Sequence, residues 1–63
     1  MTFEEVLPAL KEYKAIKRIT MDGRIMLMKC KDKKVRLRVW KGEYNYPIKF
    51  TYEDIVANDW RIL

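Results

Sequence analysis

The stretch Val35–Trp40 reads VRLRVW, in which aliphatic residues alternate with arginines before a closing tryptophan. Alternation with a period of two is typical of a β-strand with two unlike faces, because successive side chains point to opposite sides of a sheet. The aliphatic side chains are therefore predicted to face the core. Arg36, Arg38 and Trp40 are predicted to share the opposite face.

The residues before this strand predict two more strands joined by turns. The run Ile25–Met28 reads IMLM and is apolar throughout, which favours a strand covered on both faces, with a second subunit as one cover. Lys31–Lys34 is predicted to form the turn that follows this run. The pair Asp22-Gly23 precedes it and is expected to supply the positive φ angles of a tight hairpin turn. An earlier strand near Ile16 is predicted on the other side of that turn.

The residues after Trp40 predict a fourth strand. Lys41–Glu43 interrupts the alternation, which resumes over Tyr44–Phe50. Pro47 places this strand at an edge of the sheet or at a bulge, because proline has no N–H to donate to a neighbouring strand.

Both ends of the chain carry helix signals. Thr2 and Glu5 have the spacing of a capping box, and the apolar residues after Thr2 recur at helical intervals, so a first helix is predicted over about residues 3–12. Thr51 and Asp54 predict a shorter helix over residues 52–57. Trp60 and the apolar residues beyond it are predicted to form a final strand that closes the core.

The predicted fold class is therefore α+β, in a single small domain over residues 1–63. It has an N-terminal helix, an antiparallel sheet of about four to five strands, and a short C-terminal helix followed by a final strand. The helices are predicted to cover one face of the sheet.

The composition argues against catalysis and against export. The 63 residues contain one cysteine, no histidine and no serine, so the serine nucleophile and the commonest general base and metal ligand are all missing. We therefore expect no enzymatic activity, no metal and no cofactor. Cys30 cannot form an internal disulfide, which is typical of a reducing cytoplasm. The start of the chain indicates neither a signal peptide nor a membrane span, and a soluble cytoplasmic protein is expected.

The positive charge is concentrated in the middle of the chain. The net charge is +5, and residues 14–49 carry twelve lysines and arginines against three acidic residues. An anionic partner, with phosphate foremost, explains this distribution. Lysines that protect the edges of the sheet explain it as well.

The predicted basic face combines two kinds of nucleotide contact. Arg36 and Arg38 offer forked donors for phosphate, and Trp40 offers a flat surface on which a base can stack. This combination is typical of a nucleotide site. The alternative is that Trp40 packs against another subunit.

The two ends of the chain carry a family resemblance over the first 18 and the last 10 residues. The matched positions are Phe3, Leu7, Leu10, Lys11, Lys14, Ile16 and Arg18 at the front, and Asp54, Ile55, Ala57, Asp59 and Trp60 at the end. This pattern resembles the Thoeris anti-defence family of phage nucleotide-sponge proteins. In that family the chains form dimers or tetramers whose interfaces hold cyclic ADP-ribose variants or cyclic dinucleotides intact. The family usually has glycine at the position of Tyr13 and tryptophan at the position of Met21.

The resemblance implies a phage anti-defence protein that sequesters a cyclic nucleotide immune signal without cleaving it. The signal would be a cyclic ADP-ribose variant or a cyclic oligonucleotide, and the protein a homo-oligomer. The resemblance also implies a phosphate contact for Arg18 and a base contact for Met21. Together with the basic face, the expected ligand-binding residues are Arg18, Met21, Arg24, Arg36, Arg38 and Trp40.

Two other functions remain open at this point. The basic middle of the chain also fits a small nucleic-acid-binding protein. The methionines and aromatic residues also fit a protein–protein inhibitor of a host defence factor.

Overall fold

The computed structural model describes residues 1–63, which form two helices and a five-stranded sheet. The elements are α1 (Phe3–Lys11), β1 (Ile16–Arg18), β2 (Arg24–Lys29), β3 (Val35–Lys41), β4 (Tyr44–Pro47), α2 (Tyr52–Val56) and β5 (Trp60–Ile62). Every strand pair is antiparallel, and the order across the sheet is β4-β3-β2-β1-β5. The predicted α+β fold, with its final strand after a short helix, is confirmed.

Helix α1 begins at the predicted capping box. The Thr2 hydroxyl accepts a hydrogen bond from the Glu5 backbone N–H at 3.2 Å, and the Glu5 carboxylate accepts one from the Thr2 N–H at 2.8 Å. These two bonds satisfy backbone donors that have no partner inside the helix. The helix turns Val6, Ala9 and Leu10 towards the sheet, where all three are buried.

Helix α1 ends on a left-handed residue. Tyr13 has a φ of 64°. Its N–H donates to the Leu10 carbonyl at 2.9 Å, and the Lys14 N–H donates to the Ala9 carbonyl at 3.0 Å. This pair of bonds is the Schellman motif, in which glycine is the preferred left-handed residue. Tyr13 therefore adopts a backbone conformation for which glycine is better suited.

The core lies between α1 and one face of the sheet, which we call the inner face. Its seven buried apolar residues are Val6, Ala9, Leu10, Ile16, Ile25, Val39 and Trp60. Trp60 is 1% exposed, and its indole N–H donates to the Asp54 carbonyl at 2.9 Å. Phe3 packs against it with a ring-centroid distance of 5.2 Å, a separation typical of paired aromatic rings.

The connection between β1 and β2 differs from the predicted tight hairpin. It spans residues 19–23, and its turn lies earlier, where the Arg18 carbonyl accepts from the Met21 N–H at 3.1 Å. Neither Asp22 nor Gly23 has a positive φ. The prediction of a tight Asp-Gly hairpin turn was therefore wrong. Glycine occupies position 23 because of a contact with a distant part of the chain.

Gly23 is required by the close approach of β3. A Cβ at this position would lie 2.8 Å from the Trp40 carbonyl oxygen and 2.9 Å from Val39 Cγ1. The first of these neighbours is backbone, which cannot move aside as a flexible side chain would. Glycine therefore lets the two backbone segments pass each other.

Strand β4 and helix α2 are shorter than predicted. β4 ends at Pro47 on the edge of the sheet, as expected of a proline, while Ile48 and Phe50 beyond it pack against the core. Helix α2 ends at Val56 and not at residue 57. The apolar residues after Pro47 therefore serve the core from a loop.

The turn between β2 and β3 also contains a left-handed residue. The Lys33 N–H donates to the Cys30 carbonyl at 3.0 Å, and the Cys30 N–H donates to the Lys34 carbonyl at 2.8 Å. Lys33 has a φ of 66°. This conformation is strained for lysine, because its Cβ lies close to its own backbone. Glycine has no Cβ and adopts the conformation without that strain.

Replacing Lys33 by glycine is expected to stabilise the fold. Removing the left-handed strain should raise the free energy of unfolding by about 1 kcal/mol and the melting temperature by roughly 4–8 °C. Thermal unfolding followed by circular dichroism measures this change. Lys31→Gly is the control, because residue 31 does not have a positive φ and glycine there should not stabilise. Equal effects of the two changes would contradict the strain at Lys33.

Replacing Gly23 by alanine is expected to destabilise the fold. The added methyl group would force β2 and β3 apart or displace Val39, at a cost of roughly 1–3 kcal/mol. Urea unfolding measures the loss. A Gly23→Ala protein as stable as the wild type would show that the backbone around residue 23 has room to relax.

Candidate functional site

The face of the sheet away from α1, here the outer face, is basic. Cross-strand partners point to the same side of a sheet, and successive pairs alternate between its two faces. The buried pair Ile25–Val39 lies on the inner face. The outer face therefore carries the alternating pairs Arg24–Trp40, Met26–Arg38 and Met28–Arg36. Lys17 and Arg61 are likewise partners and alternate with inner-face residues. The outer-face residues are Lys17, Arg24, Met26, Met28, Arg36, Arg38, Trp40, Asn45, Pro47 and Arg61. Neither helix packs on this face.

The six expected ligand-binding residues separate into two groups. Arg24, Arg36, Arg38 and Trp40 share the outer face. The alternation in β3 predicts this for Arg36, Arg38 and Trp40, whereas Arg24 reaches the face through its pairing with Trp40. Arg18 is instead the cross-strand partner of Trp60, which places it on the inner face. Met21 packs against the core. The structure therefore does not bring Arg18 and Met21 together with the other four.

A pocket of about 230 Å³ opens at the Trp40 end of the outer face. We call it the Trp40 pocket, and it is lined by Lys17, Asp22, Gly23, Arg24, Trp40, Lys41, Gly42 and Leu63. The indole nitrogen of Trp40 is buried and has no hydrogen-bond partner. Buried donors in proteins are nearly always paired, so this N–H is an exception that no contact within the chain explains.

The cations of the Trp40 pocket are only partly neutralised within the chain. Lys41 pairs with Asp22, whose carboxylate raises the pKa of the lysine. Lys17 and Arg24 belong to none of the ion pairs of the chain. The lining therefore carries two positive charges in excess, which attract an anion.

The other two outer-face arginines already have partners. Arg36 pairs with Asp32 at 3.0 Å, and both side chains are about half exposed, so this ion pair contributes little to stability. Arg38 donates from Nε to the Asn45 side-chain oxygen at 2.9 Å. Arg38 is thus held against β4, while Arg36 lies at the far end of β3 from Trp40.

Arg18 lies between two carboxylates. Its Nε donates to Asp59 Oδ1 at 2.9 Å and its Nη1 donates to Asp54 Oδ1 at 2.7 Å. All three side chains are less than a third exposed, at 21%, 28% and 19% respectively. One guanidinium between two carboxylates leaves a net negative charge, which disfavours a phosphate at this position.

These contacts give three charged residues of the family-like pattern, Arg18, Asp54 and Asp59, a shared structural role. The guanidinium lowers the pKa of Asp59, and the pKa of Asp54 is lowered first by the Thr51 backbone N–H and then by Arg18. The sequence assigns Asp54 to the helix cap. The cap is confirmed, whereas the shared partner was missed because it lies 36 and 41 residues away.

A second cleft, of about 380 Å³, shares Asp22 and Gly23 with the Trp40 pocket. We call it the Met21 cleft, and it is lined by Met21, Asp22, Gly23, Val39, Tyr46, Pro47, Ile48, Lys49 and Asp54. Its only basic residue is Lys49, against the carboxylates of Asp22 and Asp54. Its charge therefore suits an anion less well than that of the Trp40 pocket.

Sequence reasoning missed two cations of the Trp40 pocket. Lys17 and Lys41 were read only as part of the general positive charge. The signal for Lys41 was its position next to Trp40. The signal for Lys17 was its position between Ile16 and Arg18, where a strand turns it to the face opposite the core.

Comparison with known proteins gives no identification. No family model matches this sequence, and no curated protein matches it.

Neither helix has the length and apolar character needed to cross a lipid bilayer. The structure contains no cluster of three or more cysteine or acidic side chains placed to hold a metal ion.

The Arg18 ion pairs predict a loss of stability in acid. Because the folded-state pKa values of Asp54 and Asp59 are lowered, their contribution is fully present above the unfolded value of about 3.9 and is lost as the pH falls through the lower folded values. Asp59→Asn should lower stability at pH 7 and lose less of it below about pH 4. Urea unfolding between pH 7 and pH 2 measures both effects.

Glu43→Gln is the matched control, since Glu43 is an exposed carboxylate outside the ion pairs. It should follow the wild-type dependence on pH. If Asp59→Asn also runs parallel to the wild type below pH 4, the ion pair does not contribute to stability.

Proposed function

We propose that this protein is a phage anti-defence binding protein that sequesters a cyclic nucleotide immune signal in the Trp40 pocket without cleaving it. The observation that carries the proposal is the Trp40 pocket, which is lined by an indole and by two cations, Arg24 and Lys17, that have no ion-pair partner. The resemblance at the two ends of the chain supports the same function. It supplies the cyclic nature of the ligand, which the pocket by itself does not.

The pocket offers each kind of contact that a nucleotide needs. The indole of Trp40 can stack a base, a contact that contributes roughly 1–3 kcal/mol. The Arg24 guanidinium can bind a phosphate through two parallel hydrogen bonds. Lys17 adds a second free charge beside it.

The size of the pocket suits one part of a nucleotide. Sites for whole drug-sized ligands occupy about 300–1,000 Å³, whereas this pocket measures about 230 Å³. The remainder of the ligand would therefore extend over the outer face or contact a second subunit.

Self-association is part of the proposal, as a dimer or tetramer in the host cytoplasm where the signal is produced. Helix α2 contributes no buried residue, and its apolar Tyr52, Ile55 and Val56 are 77%, 54% and 58% exposed. Contiguous exposed apolar surface is typical of an interaction site. A second copy of the chain is the partner that we propose for α2.

The residue types around the Trp40 pocket support binding of the ligand without cleavage. With no histidine or serine in the chain, the pocket lacks the commonest general base and the serine nucleophile. The only cysteine, Cys30, lies beyond the end of β2 opposite to Arg24. A pocket of this kind would bind a phosphodiester without attacking it.

Nucleic-acid binding is the second candidate, and the outer face favours it. This face extends its positive charge across the sheet from Arg36 to Arg61. Binding of nucleic acid would weaken steeply with salt, because each phosphate contact releases a counterion. A small ligand held in one pocket would depend less on salt and would saturate at a fixed ratio per chain.

Thermal unfolding with a panel of ligands tests the proposal. The panel contains cyclic ADP-ribose isomers, cyclic dinucleotides, cyclic trinucleotides and short single-stranded DNA. A ligand at 100 times its dissociation constant adds about 2.7 kcal/mol, which should raise the melting temperature by roughly 10 °C or more. We expect this shift with one cyclic nucleotide, which mass spectrometry should recover unchanged.

Three variants locate the site. Arg24→Ala should abolish most of the shift, and Trp40→Ala, which removes the stacking surface, should weaken binding roughly tenfold. Lys29→Ala is the charge-matched control, because Lys29 lies on the same strand as Arg24 but pairs with the inner-face Val35. A shift that Arg24→Ala leaves intact would place the ligand elsewhere. A salt-sensitive shift with DNA alone would favour the second candidate.

A further inference from the structure

One row of side chains crosses the whole outer face. Asn45 pairs with Trp40, and Trp40 pairs with Arg24. Arg24 lies beside Lys17, because the neighbouring residues Ile25 and Ile16 are partners, and Lys17 pairs with Arg61. The row therefore reads Asn45, Trp40, Arg24, Lys17 and Arg61, with one residue from each of the five strands.

The charges in this row are free. Arg24, Lys17 and Arg61 take part in no ion pair within the chain, and no residue of the row is acidic. Elsewhere on the same face, Arg36 is paired with Asp32 and Arg38 is bound to Asn45. Three unneutralised cations side by side repel one another, so an anion that lies along them is attracted by all three.

The length of the row sets the size of the ligand. Adjacent strands lie about 4.8 Å apart, so Trp40 and Arg61 are separated by three spacings, about 14 Å. Two phosphates joined by a single bridging oxygen fit within one such spacing, at Arg24 and Lys17. Phosphates separated by a ribose can reach from Arg24 to Arg61.

We propose that the ligand of the outer face is a phosphodiester-linked oligonucleotide with at least two separate phosphates. One base stacks on Trp40, the first phosphate lies at Arg24 and Lys17, and the next lies at Arg61. This inference rests on the proposed function and adds to it both the class of ligand and the role of Arg61, which lies outside the Trp40 pocket. Arg61 is then a specificity-determining residue that separates such ligands from mononucleotides and from pyrophosphate-linked nucleotides.

Calorimetric titration of the full chain tests this assignment with four probes: AMP, cyclic ADP-ribose, cyclic di-AMP and the linear dinucleotide pApA. Arg61→Ala should weaken cyclic di-AMP or pApA roughly tenfold, the loss of one charged hydrogen-bonded contact, and change AMP less than twofold. Arg61→Lys should restore most of the affinity because it keeps the charge. Lys29→Ala, on the inner face, is the control for net charge and should leave all four affinities unchanged.

The outcomes separate the two proposals. If some nucleotide binds the wild type but Arg61→Ala weakens AMP and the dinucleotides equally, or weakens neither, the inference is overturned and the proposed function stands. If cyclic ADP-ribose binds as tightly as the dinucleotides, and Arg61→Ala changes the affinity of neither, a ligand with two separate phosphates is likewise excluded. If no cyclic or linear nucleotide binds the wild type, the proposed function itself fails. A preference for cyclic di-AMP over pApA supports both proposals, whereas a preference for pApA supports the two-phosphate ligand and contradicts the proposed cyclic signal.

Discussion

The guanidinium of Arg18 is the contact on which the C-terminal third of the fold depends. It joins β1 to Asp54 in α2 and to Asp59 just before β5. Helix α2 buries no side chain of its own, so its own apolar residues contribute little to holding it in place. Its position depends on this ion pair, on the hydrogen bond from Trp60 to the Asp54 carbonyl, and on the flanking Phe50 and Ala57, which pack against the core.

The same contact reaches the core through Asp54. The carbonyl of Asp54 accepts the indole N–H of Trp60, the largest buried side chain of the protein. A chain of this length can bury only about 60% of the surface that it exposes when unfolded. A polar network that fixes the position of the main core residue therefore supplements an apolar core of only seven residues.

Local patterns were sufficient to predict most of the fold. The alternation in Val35–Trp40 and the two capping boxes depend on neighbours within a few residues, so they can be read directly from the sequence. Gly23 could not be predicted in this way, because the atoms that exclude a side chain there belong to β3. The prediction from Asp22-Gly23 used the usual turn propensity of the pair, and tertiary contact overrode it.

The candidate site was predictable only in part, and for a similar reason. Trp40 and the arginines of β3 share a face by simple alternation, whereas Arg24 was predicted to bind the ligand without being placed on that face. Lys17 and Arg61 enter the same row only through the pairing of β1 with β2 and with β5. No local pattern specifies that register. Arg18 shows the converse, since its partners are distant in sequence and turn an expected phosphate contact into a structural one.

The order of the strands divides the sheet into two parts that differ in folding kinetics. Strands β2, β3 and β4 follow one another in sequence and are joined by short turns, so closing their contacts costs little chain entropy. The contact of Arg18 with Asp59 closes a loop of 41 residues, and non-local contacts of this kind slow folding. We expect the three-stranded meander to form early and the pairing of β1 with β5 to form late. The part of the sheet that carries Trp40 and Arg24 would then take shape before the chain ends meet, and the cations of β1 and β5 would join it last.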